Sequence, residues 1–276
     1  MRTILEKAII PVGFLVLIGT LVSVYLAVRL NTTGSGPVYV SFAQTESDAD
    51  CALLCQENVA VMIDTGAAQD AENVLAMLDE NGVQKLDYLI LSVGEPDHIG
   101  GVKAVTSHVS VDKVIAPYYQ GESEWDETIA YLKQNKIDIW YPTHFRTLRV
   151  GEMNMVVYPG LEKKYNKTSD YSLAVLITHH KVNMLFTGDA TKKRSMELEM
   201  IHWPKTDLYK VPHHGRANSR TEELMELLKP GYAVVTAPEC DSVISDCAAL
   251  YDTKLLFTCN TPVRFVSDGE QLKPIE

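Results

Sequence analysis

The chain has 276 residues, of which 46% are hydrophobic, and its 25 basic and 36 acidic residues give a formal net charge of −11. A chain of this length can build a hydrophobic core without disulfides or metals as staples. Residues 1–29 hold three of the basic residues and one acidic residue, so the remainder carries a net charge of −13. That charge excludes a protein that binds duplex nucleic acid through an extended basic face.

The first feature along the chain is an uncharged run of 21 residues from Ala8 to Val28, flanked by Lys7 and Arg29. At about 1.5 Å per residue the run reaches about 30 Å as a helix, which is the thickness of bilayer hydrocarbon. It is longer than the apolar region of a secretory signal, and no good small-residue cleavage pattern follows it. These features favour an uncleaved anchor over a cleaved signal.

The charges around this run predict its orientation. Arg2 and Lys7, offset by Glu6, precede the run, whereas Arg29 alone follows it closely. An excess of basic residues marks the cytoplasmic side, so the N-terminus is expected inside. We therefore predict a membrane anchor at residues 1–29, a tether at 30–37 and an extracytoplasmic domain at 38–276, which makes a single-pass protein of the cell membrane.

Beyond the tether, short apolar runs alternate with segments of helical periodicity. No linker interrupts them, which predicts one layered α/β domain. In chain order, strands are predicted at 38–42, 51–55, 59–63, 86–91, 111–116, 137–141, 172–178, 182–186, 208–211, 233–236, 255–258 and 263–266, with a hairpin at 148–158 and helices at 68–81, 123–135, 190–201 and 222–228.

Polar side chains that could carry chemistry follow four of these strands. At each junction an apolar run stops and a neighbouring glycine allows a sharp turn. Strands that end in this way deliver side chains to the rim of a sheet. The candidates are Asp64, Asp97, His98, Asp189, His213 and His214.

We expect structural roles for several other polar residues, namely one aspartate, two histidines and the cysteines. Asp64 is expected to hold its turn rather than a metal, because Asp in such turns bonds to its own backbone. His179 and His180 form a predicted hairpin tip and are expected to face solvent. Five cysteines are an odd number, and a disulfide from Cys240 to Cys247 or to Cys259 is an open alternative.

Four segments, at 63–66, 86–101, 185–190 and 210–215, occur in an order and spacing that resemble the metallo-β-lactamase superfamily. The similarity is to the extracytoplasmic hydrolase-like domain of ComEC-type competence proteins. It implies an αββα sandwich with the active site on one edge of the two sheets. The first metal motif of that family reads H-x-H-x-D-H.

This chain departs from that motif at two places. The four ligand positions are occupied by Val93, Glu95, Asp97 and His98, so both histidines of the first metal site are replaced. Valine cannot coordinate a metal, whereas Glu95 can do so through oxygen. The later segments at 169–172 and 244–247 also lack the family's histidines. The family's entry motif, V-G-Q-G-D, is loosened here from Phe42 onward, and Asp50 is the match to its aspartate.

The resemblance implies that the second metal site survives, with Asp97, His98, Asp189 and one of His213 or His214 as ligands. One ion is then favoured over two. Glu95 is a fifth ligand or a base, which makes Glu95 and Asp97 the candidate catalytic residues. An oxygen-rich donor set suits manganese, although zinc stays open.

Two functions follow from this resemblance. The first is a membrane-anchored, metal-dependent hydrolase of phosphodiesters or related esters, with single-stranded nucleic acid as a conceivable substrate. The second is a catalytically inactive domain of the same fold that serves as a binding or scaffold module at the membrane.

Overall fold

The computed structural model describes residues 36–46, 48–259 and 261–275. The predicted anchor and most of the predicted tether lie outside these residues. Within the described part of the chain, no helix combines the length and the apolar character needed to cross a bilayer.

The described residues fold into two large mixed sheets and one small parallel pair of strands. In chain order the strands are β1 (Val38–Phe42), β2 (Ala52–Gln56), β3 (Val59–Ile63), β4 (Lys85–Leu86), β5 (Tyr88–Ile90), β6 (Ser110–Val111), β7 (Val114–Ile115), β8 (Ile139–Trp140), β9 (Arg146–Val150), β10 (Met153–Tyr158), β11 (Ala174–His179), β12 (Val182–Phe186), β13 (Leu208–Lys210), β14 (Tyr232–Val235), β15 (Lys254–Phe257), β16 (Val263–Ser267) and β17 (Leu272–Ile275).

Helices cover the outer faces of both sheets. They are α1 (Ala71–Glu80), α2 (Pro96–Ile99), α3 (Val102–His108), α4 (Ser123–Gln134), α5 (Lys192–Glu199), α6 (Thr221–Leu228) and α7 (Ser242–Leu250), with short 3-10 turns at Ala68–Asp70, Thr168–Tyr171 and Pro212–Gly215.

The first sheet has the strand order β17-β16-β1-β2-β3-β5-β7-β8, and the second has β15-β14-β13-β12-β11-β10-β9. The strands β3, β5, β7 and β8 are parallel, as are β12, β13, β14 and β15. Parallel strands are normally covered on both faces, which explains why they appear in the sequence as continuous apolar runs.

Three hydrophobic layers hold the molecule together. The central layer lies between the sheets, where the stacked rings of Phe42 in β1 and Phe186 in β12 have centroids 6.0 Å apart. One outer layer packs α1, α3 and α4 on the first sheet, and the other packs α5, α6 and α7 on the second. The predicted αββα sandwich is confirmed.

Most predicted strands and helices are present, with boundaries displaced by a few residues. Missing from the sequence-based assignment were α2, α3, α7 and β17. The apolar residues of α7, Ile244, Cys247 and Ala248, recur at helical spacing and face the second sheet, so the signal was present. Neither Cys240 nor Cys247 forms a disulfide with another described residue.

One predicted placement is wrong. His179 was expected to face solvent at a hairpin tip, but its side chain is only 1% exposed. It is the last residue of β11, and its Nδ1 lies 2.9 Å from the Ser267 hydroxyl of β16 in the other sheet. His180 is exposed, as predicted. Contacts from a strand 88 residues away decide this burial, and the local sequence does not reveal them.

The strand directions bring the candidate residues together. The carboxyl ends of β3 and β5 in the first sheet and of β12, β13 and β14 in the second lie at one edge of the sandwich. Functional residues of α/β sheets collect outside the carboxyl ends of parallel strands. The start of β2 lies at the same edge, because β2 is antiparallel to β3.

Candidate metal centre

Four buried side chains from both sheets converge at this edge. Asp50 precedes β2, His98 lies in α2, Asp189 follows β12 and His214 follows β13. One potential ligand atom of each lies within 4.8 Å of those of the others. Each residue is at most 4% exposed. We call these four residues the metal centre.

Several donor atoms of the metal centre have no hydrogen-bond partner. They are Nε2 of His98, Nε2 of His214 and both carboxylate oxygens of Asp189. Nε2 of His98 lies 3.0 Å from Asp189 Oδ1, and Nε2 of His214 lies 3.3 Å from Asp189 Oδ2, but neither contact is aligned as a hydrogen bond. Buried polar atoms are normally bonded, so these atoms fit a bound cation. Imidazole and carboxylate together suit a divalent transition metal.

The ring of His98 is oriented by Asp64. Nδ1 of His98 lies 2.8 Å from Asp64 Oδ2, and Asp64 also accepts hydrogen bonds from the Ser92 amide at 2.6 Å and the Ser92 hydroxyl at 2.5 Å. An ionised carboxylate only accepts, so Nδ1 donates and Nε2 is the free nitrogen. Asp64 lies outside the metal centre and holds His98, which agrees with its predicted structural role, although its partner is Ser92 rather than its own turn.

The ring of His214 is oriented in a similar way by Thr236 and Asp50. The Thr236 hydroxyl donates to Asp50 Oδ1 at 2.5 Å and lies 3.0 Å from Nδ1 of His214. The single hydroxyl hydrogen is used on Asp50, so Nδ1 of His214 must donate to Thr236. The free nitrogen is again Nε2, the atom that faces Asp189.

The backbone distinguishes His214 from His213. Both residues adopt left-handed conformations, with φ of 52° for His213 and 54° for His214. Two such residues in succession turn His214 into the interior at 1% exposure and leave His213 only partly buried. Only His214 joins the metal centre. The ligand role of either residue stays a prediction.

A buried ion pair lies beside the metal centre. Lys210, the last residue of β13, is 3% exposed and pairs through Nζ with Asp50. Its Nζ also lies 3.3 Å from the Gly188 carbonyl and 3.8 Å from Asp189 Oδ1. No role was predicted for Lys210, although a lysine at the end of an apolar strand is an unusual residue to bury.

The charges in this group influence one another strongly. Burial would raise the pKa of Asp189, but the neighbouring His98 and His214 hold it well below its ordinary value. Burial would lower the pKa of His214, but the carboxylates of Asp50 and Asp189 raise it to about 10. A metal ion at this site would therefore compete with protons for the imidazole nitrogens, and its binding would release protons.

The remaining predicted residues border the metal centre. Asp97 is partly exposed, and its Oδ2 lies 2.9 Å from Nε2 of His214. Glu95 accepts a hydrogen bond from the Ser169 hydroxyl at 2.6 Å, and burial raises its pKa. Val93 is fully buried. The positions that would bind a first metal thus hold an apolar side chain and a hydrogen-bonded carboxyl group.

A glycine allows the Asp189 loop to approach the opposite sheet. Gly188 has a φ of +52°, and a Cβ there would lie 2.8 Å from the Ser92 hydroxyl. The Asp189 amide lies 3.0 Å from the Ser172 hydroxyl, which fixes the backbone independently of the carboxylate. A larger residue at this position would be strained in its backbone and would press on the hydroxyls of Ser92 and Ser172, which hydrogen-bond Asp64 and the Asp189 amide.

Comparisons with known proteins give matches in sequence and matches in structure. The chain is 25% identical over 168 residues to ComE operon protein 3 of Bacillus subtilis, which covers 59% of the chain and 21% of that protein. It is 24% identical over 190 residues to recombination protein 2 of Haemophilus influenzae, which covers 67% of the chain and 22% of that protein. The chain thus spans about a fifth of these relatives, and the resemblance to ComEC-type proteins is confirmed.

Crystal structures show the same fold at low sequence identity. The metallo-beta-lactamase fold protein YhfI of Bacillus subtilis aligns with a TM-score of 0.58 and 14% identity, over 84% of this chain and 99% of YhfI. CmlA, a diiron beta-hydroxylase of Streptomyces venezuelae, aligns with a TM-score of 0.51 and 12% identity, over 83% and 54%. The family model of the metallo-beta-lactamase superfamily matches residues 45–237. The chain belongs to the metallo-beta-lactamase superfamily.

Proposed function

We propose that this chain hydrolyses phosphodiester or related ester bonds with one divalent cation held by His98, Asp189 and His214. The four buried donor atoms of these residues that lack hydrogen-bond partners support this proposal most directly. Asp97 offers a further carboxylate oxygen beside His214, whereas the two oxygens of Asp50 are engaged by Thr236 and Lys210. Such an oxygen-rich set favours Mn²⁺, with Zn²⁺ as the alternative ion.

A cation in this place would polarise a phosphoryl or carbonyl oxygen and lower the pKa of a water molecule. The residues of the chain prepare the site for that chemistry. Asp64 and Thr236 keep the Nε2 atoms of His98 and His214 aimed inward. Glu95, which accepts a hydrogen bond from Ser169 and whose pKa is raised by burial, would exchange a proton with substrate or water.

One ion is proposed rather than two because the first-metal positions hold Val93 and Glu95. Valine offers no ligand atom, and Glu95 is engaged by Ser169. In a site with two ions the second ion stabilises the leaving oxygen, and a single ion cannot supply this stabilisation as well. We therefore expect slower hydrolysis than in enzymes with two metal ions.

We also propose that residues 1–29 anchor the domain in the cell membrane with the domain outside. The uncharged run from Ala8 to Val28 and its flanking basic residues support this location. As the substrate we propose single-stranded nucleic acid, on the basis of the resemblance to ComEC-type competence proteins and the similarity to a protein named recombination protein 2. Because the domain is acidic, such a substrate would be engaged locally at the metal centre.

The second candidate is a binding or scaffold domain without catalysis. One observation favours it: Lys210 pairs with Asp50, and the imidazoles of His98 and His214, whose pKa values the neighbouring carboxylates raise, lie beside Asp189, so the metal centre has counter-charges of its own. A site with internal counter-charges can persist for structural reasons alone.

The first test measures the response of the intact chain to Mn²⁺. After chelator treatment, Mn²⁺ is added, and thermal unfolding and hydrolysis of bis(p-nitrophenyl) phosphate are followed. We expect stabilisation of about 2.7 kcal/mol when Mn²⁺ exceeds its Kd a hundredfold, together with hydrolysis. Stabilisation without hydrolysis would favour the binding domain, and the absence of both would contradict a metal site.

Replacement of Glu95 by glutamine tests whether Glu95 acts as a base or as a ligand. Glutamine keeps the shape and can still accept from Ser169, and Glu95 is not among the four converging residues. We expect hydrolysis to fall by roughly 10²–10⁴-fold, as for loss of a general base, with the Kd for Mn²⁺ unchanged. Ser169→Ala is the matched control for the hydrogen bond alone. A weaker Mn²⁺ affinity in Glu95→Gln would instead assign Glu95 as a ligand.

A further inference from the structure

Three turns meet at the end of the sandwich opposite the metal centre. They are the β9–β10 turn with Glu152, the β11–β12 turn with His180, and the β16–β17 turn with Gly269. The Lys181 amide donates to the Gly269 carbonyl at 2.9 Å, which joins the two sheets here. The end of β2, at Gln56, lies against the same group.

Glu152, His179 and His180, which we call the turn site, bring two imidazoles and one carboxylate together. One ligand atom of each lies within 4.8 Å of those of the others. Nε2 of His180 lies 3.5 Å from Glu152 Oε2. A tetrahedral zinc ion with bonds of about 2.1 Å holds its ligand atoms about 3.4 Å apart, so this pair already has the required spacing.

Neighbouring residues aim the ring of His179 at this point. The Ser267 hydroxyl lies 2.9 Å from Nδ1 of His179, which leaves Nε2 as the nitrogen that faces the turn site. The side-chain amide of Gln56 donates to Glu152 Oε2 at 3.3 Å and lies 3.5 Å from Nε2 of His179, so both ligand atoms face one place, and an ion bound there would replace this amide as their partner. A hydrogen bond from the second imidazole nitrogen fixes the tautomer and the ring orientation of a metal-bound histidine, and the Ser267 hydroxyl can accept it here.

The ring of His180 is also held in place although it is exposed. His180 adopts a left-handed backbone with φ of 52°. Its ring packs on Gly269, where an added Cβ would lie 2.5 Å from His180 Cδ2. Non-glycine residues with positive φ are uncommon, and this one presents an imidazole to Glu152.

We infer that the turn site binds a divalent transition metal, with Zn²⁺ as the best-matched ion, independently of the metal centre. Two imidazoles and a carboxylate are a common zinc ligand set that leaves a position for water. An ion there would tie the β9–β10 turn to the β11–β12 turn. Through the contacts of Ser267 and Gln56 it would also connect the two sheets. The turn site would then serve a structural role by holding this end of the sandwich together.

Zinc titration calorimetry of the intact, chelator-treated chain tests this site. In an Asp189→Asn background, which disables the metal centre, we expect about one equivalent of Zn²⁺ per chain. Adding His180→Ala should remove that equivalent. Ser267→Ala should keep the stoichiometry and weaken Zn²⁺ binding roughly tenfold, as for loss of a supporting hydrogen bond.

His108→Ala is the matched control. His108 is an exposed histidine whose Nε2 lies 2.7 Å from the carboxylate of Asp79, but no second imidazole among the described residues completes a metal site there. The substitution should leave Zn²⁺ binding unchanged. If the Asp189→Asn background fails to fold, the wild-type chain is compared with His180→Ala alone, an exposed substitution, and the loss of one equivalent is still expected. Zinc binding that is unaffected by His180→Ala, or absent from the Asp189→Asn chain, would overturn the assignment.

Discussion

Replacement of Asp189 by asparagine is expected to abolish both the Mn²⁺-dependent stabilisation of the chain and its hydrolysis of phosphodiesters. Asp189 is fully buried, and its two oxygens face Nε2 of His98 and of His214 without forming hydrogen bonds. Asparagine keeps the shape but removes the negative charge and turns one oxygen into a donor. The stabilisation of about 2.7 kcal/mol at a hundredfold excess of Mn²⁺ over its Kd should disappear.

The substitution should leave the fold intact. The Asp189 amide contacts the Ser172 hydroxyl, so the backbone of the loop does not depend on the carboxylate. Asp87→Asn is the matched control. Asp87 lies just before β5, at the end of that strand away from the metal centre, and accepts a hydrogen bond from the Ala60 amide at 2.9 Å. That variant should retain the full response to Mn²⁺. An Mn²⁺ response in Asp189→Asn equal to that of Asp87→Asn would refute the proposed ligand set.

Replacement of Lys210 by methionine is expected to cost about 3–5 kcal/mol of unfolding free energy, the usual range when one partner of a buried ion pair is removed. Methionine matches the length of the lysine stem, so little packing is lost. The cost arises because Asp50 keeps its charge but loses the ammonium group, and Asp50 is only 4% exposed. Urea unfolding of the chelator-treated chain measures the change.

The double variant Lys210→Met with Asp50→Asn separates the charge effect from packing. With both charges removed, the chain should recover a substantial part of the loss, because position 50 no longer holds a buried charge that lacks its ammonium partner. Lys113→Met, which breaks an exposed pair with Asp138, is the control and should change stability by less than about 1 kcal/mol. A double variant as unstable as the sum of the single variants would show that the two charges are not coupled.

Individual residues show how far local pattern predicts the candidate site. Asp97, His98 and Asp189 follow apolar runs and sit beside glycines, and the structure brings them to one edge. Asp50 and Lys210 belong to the same site, but they lie 160 positions apart in the chain, and only the sheet topology places them in contact. His179 and His180 look alike in the sequence, yet β16 buries one and leaves the other exposed.

By itself the sequence determined a layered α/β domain and the strand ends that carry the candidate residues, whereas the αββα arrangement and the edge of the active site were implied by the resemblance to the metallo-β-lactamase superfamily. Apolar periodicity and glycine-bounded junctions are local properties, and each can be recognised within about ten residues. Tertiary structure alone decided that His214 rather than His213 turns inward, that Lys210 neutralises Asp50, and that two nitrogens and one carboxylate share a buried point. Those outcomes depend on backbone conformation and on partners far away in the chain, and no local pattern carries that information.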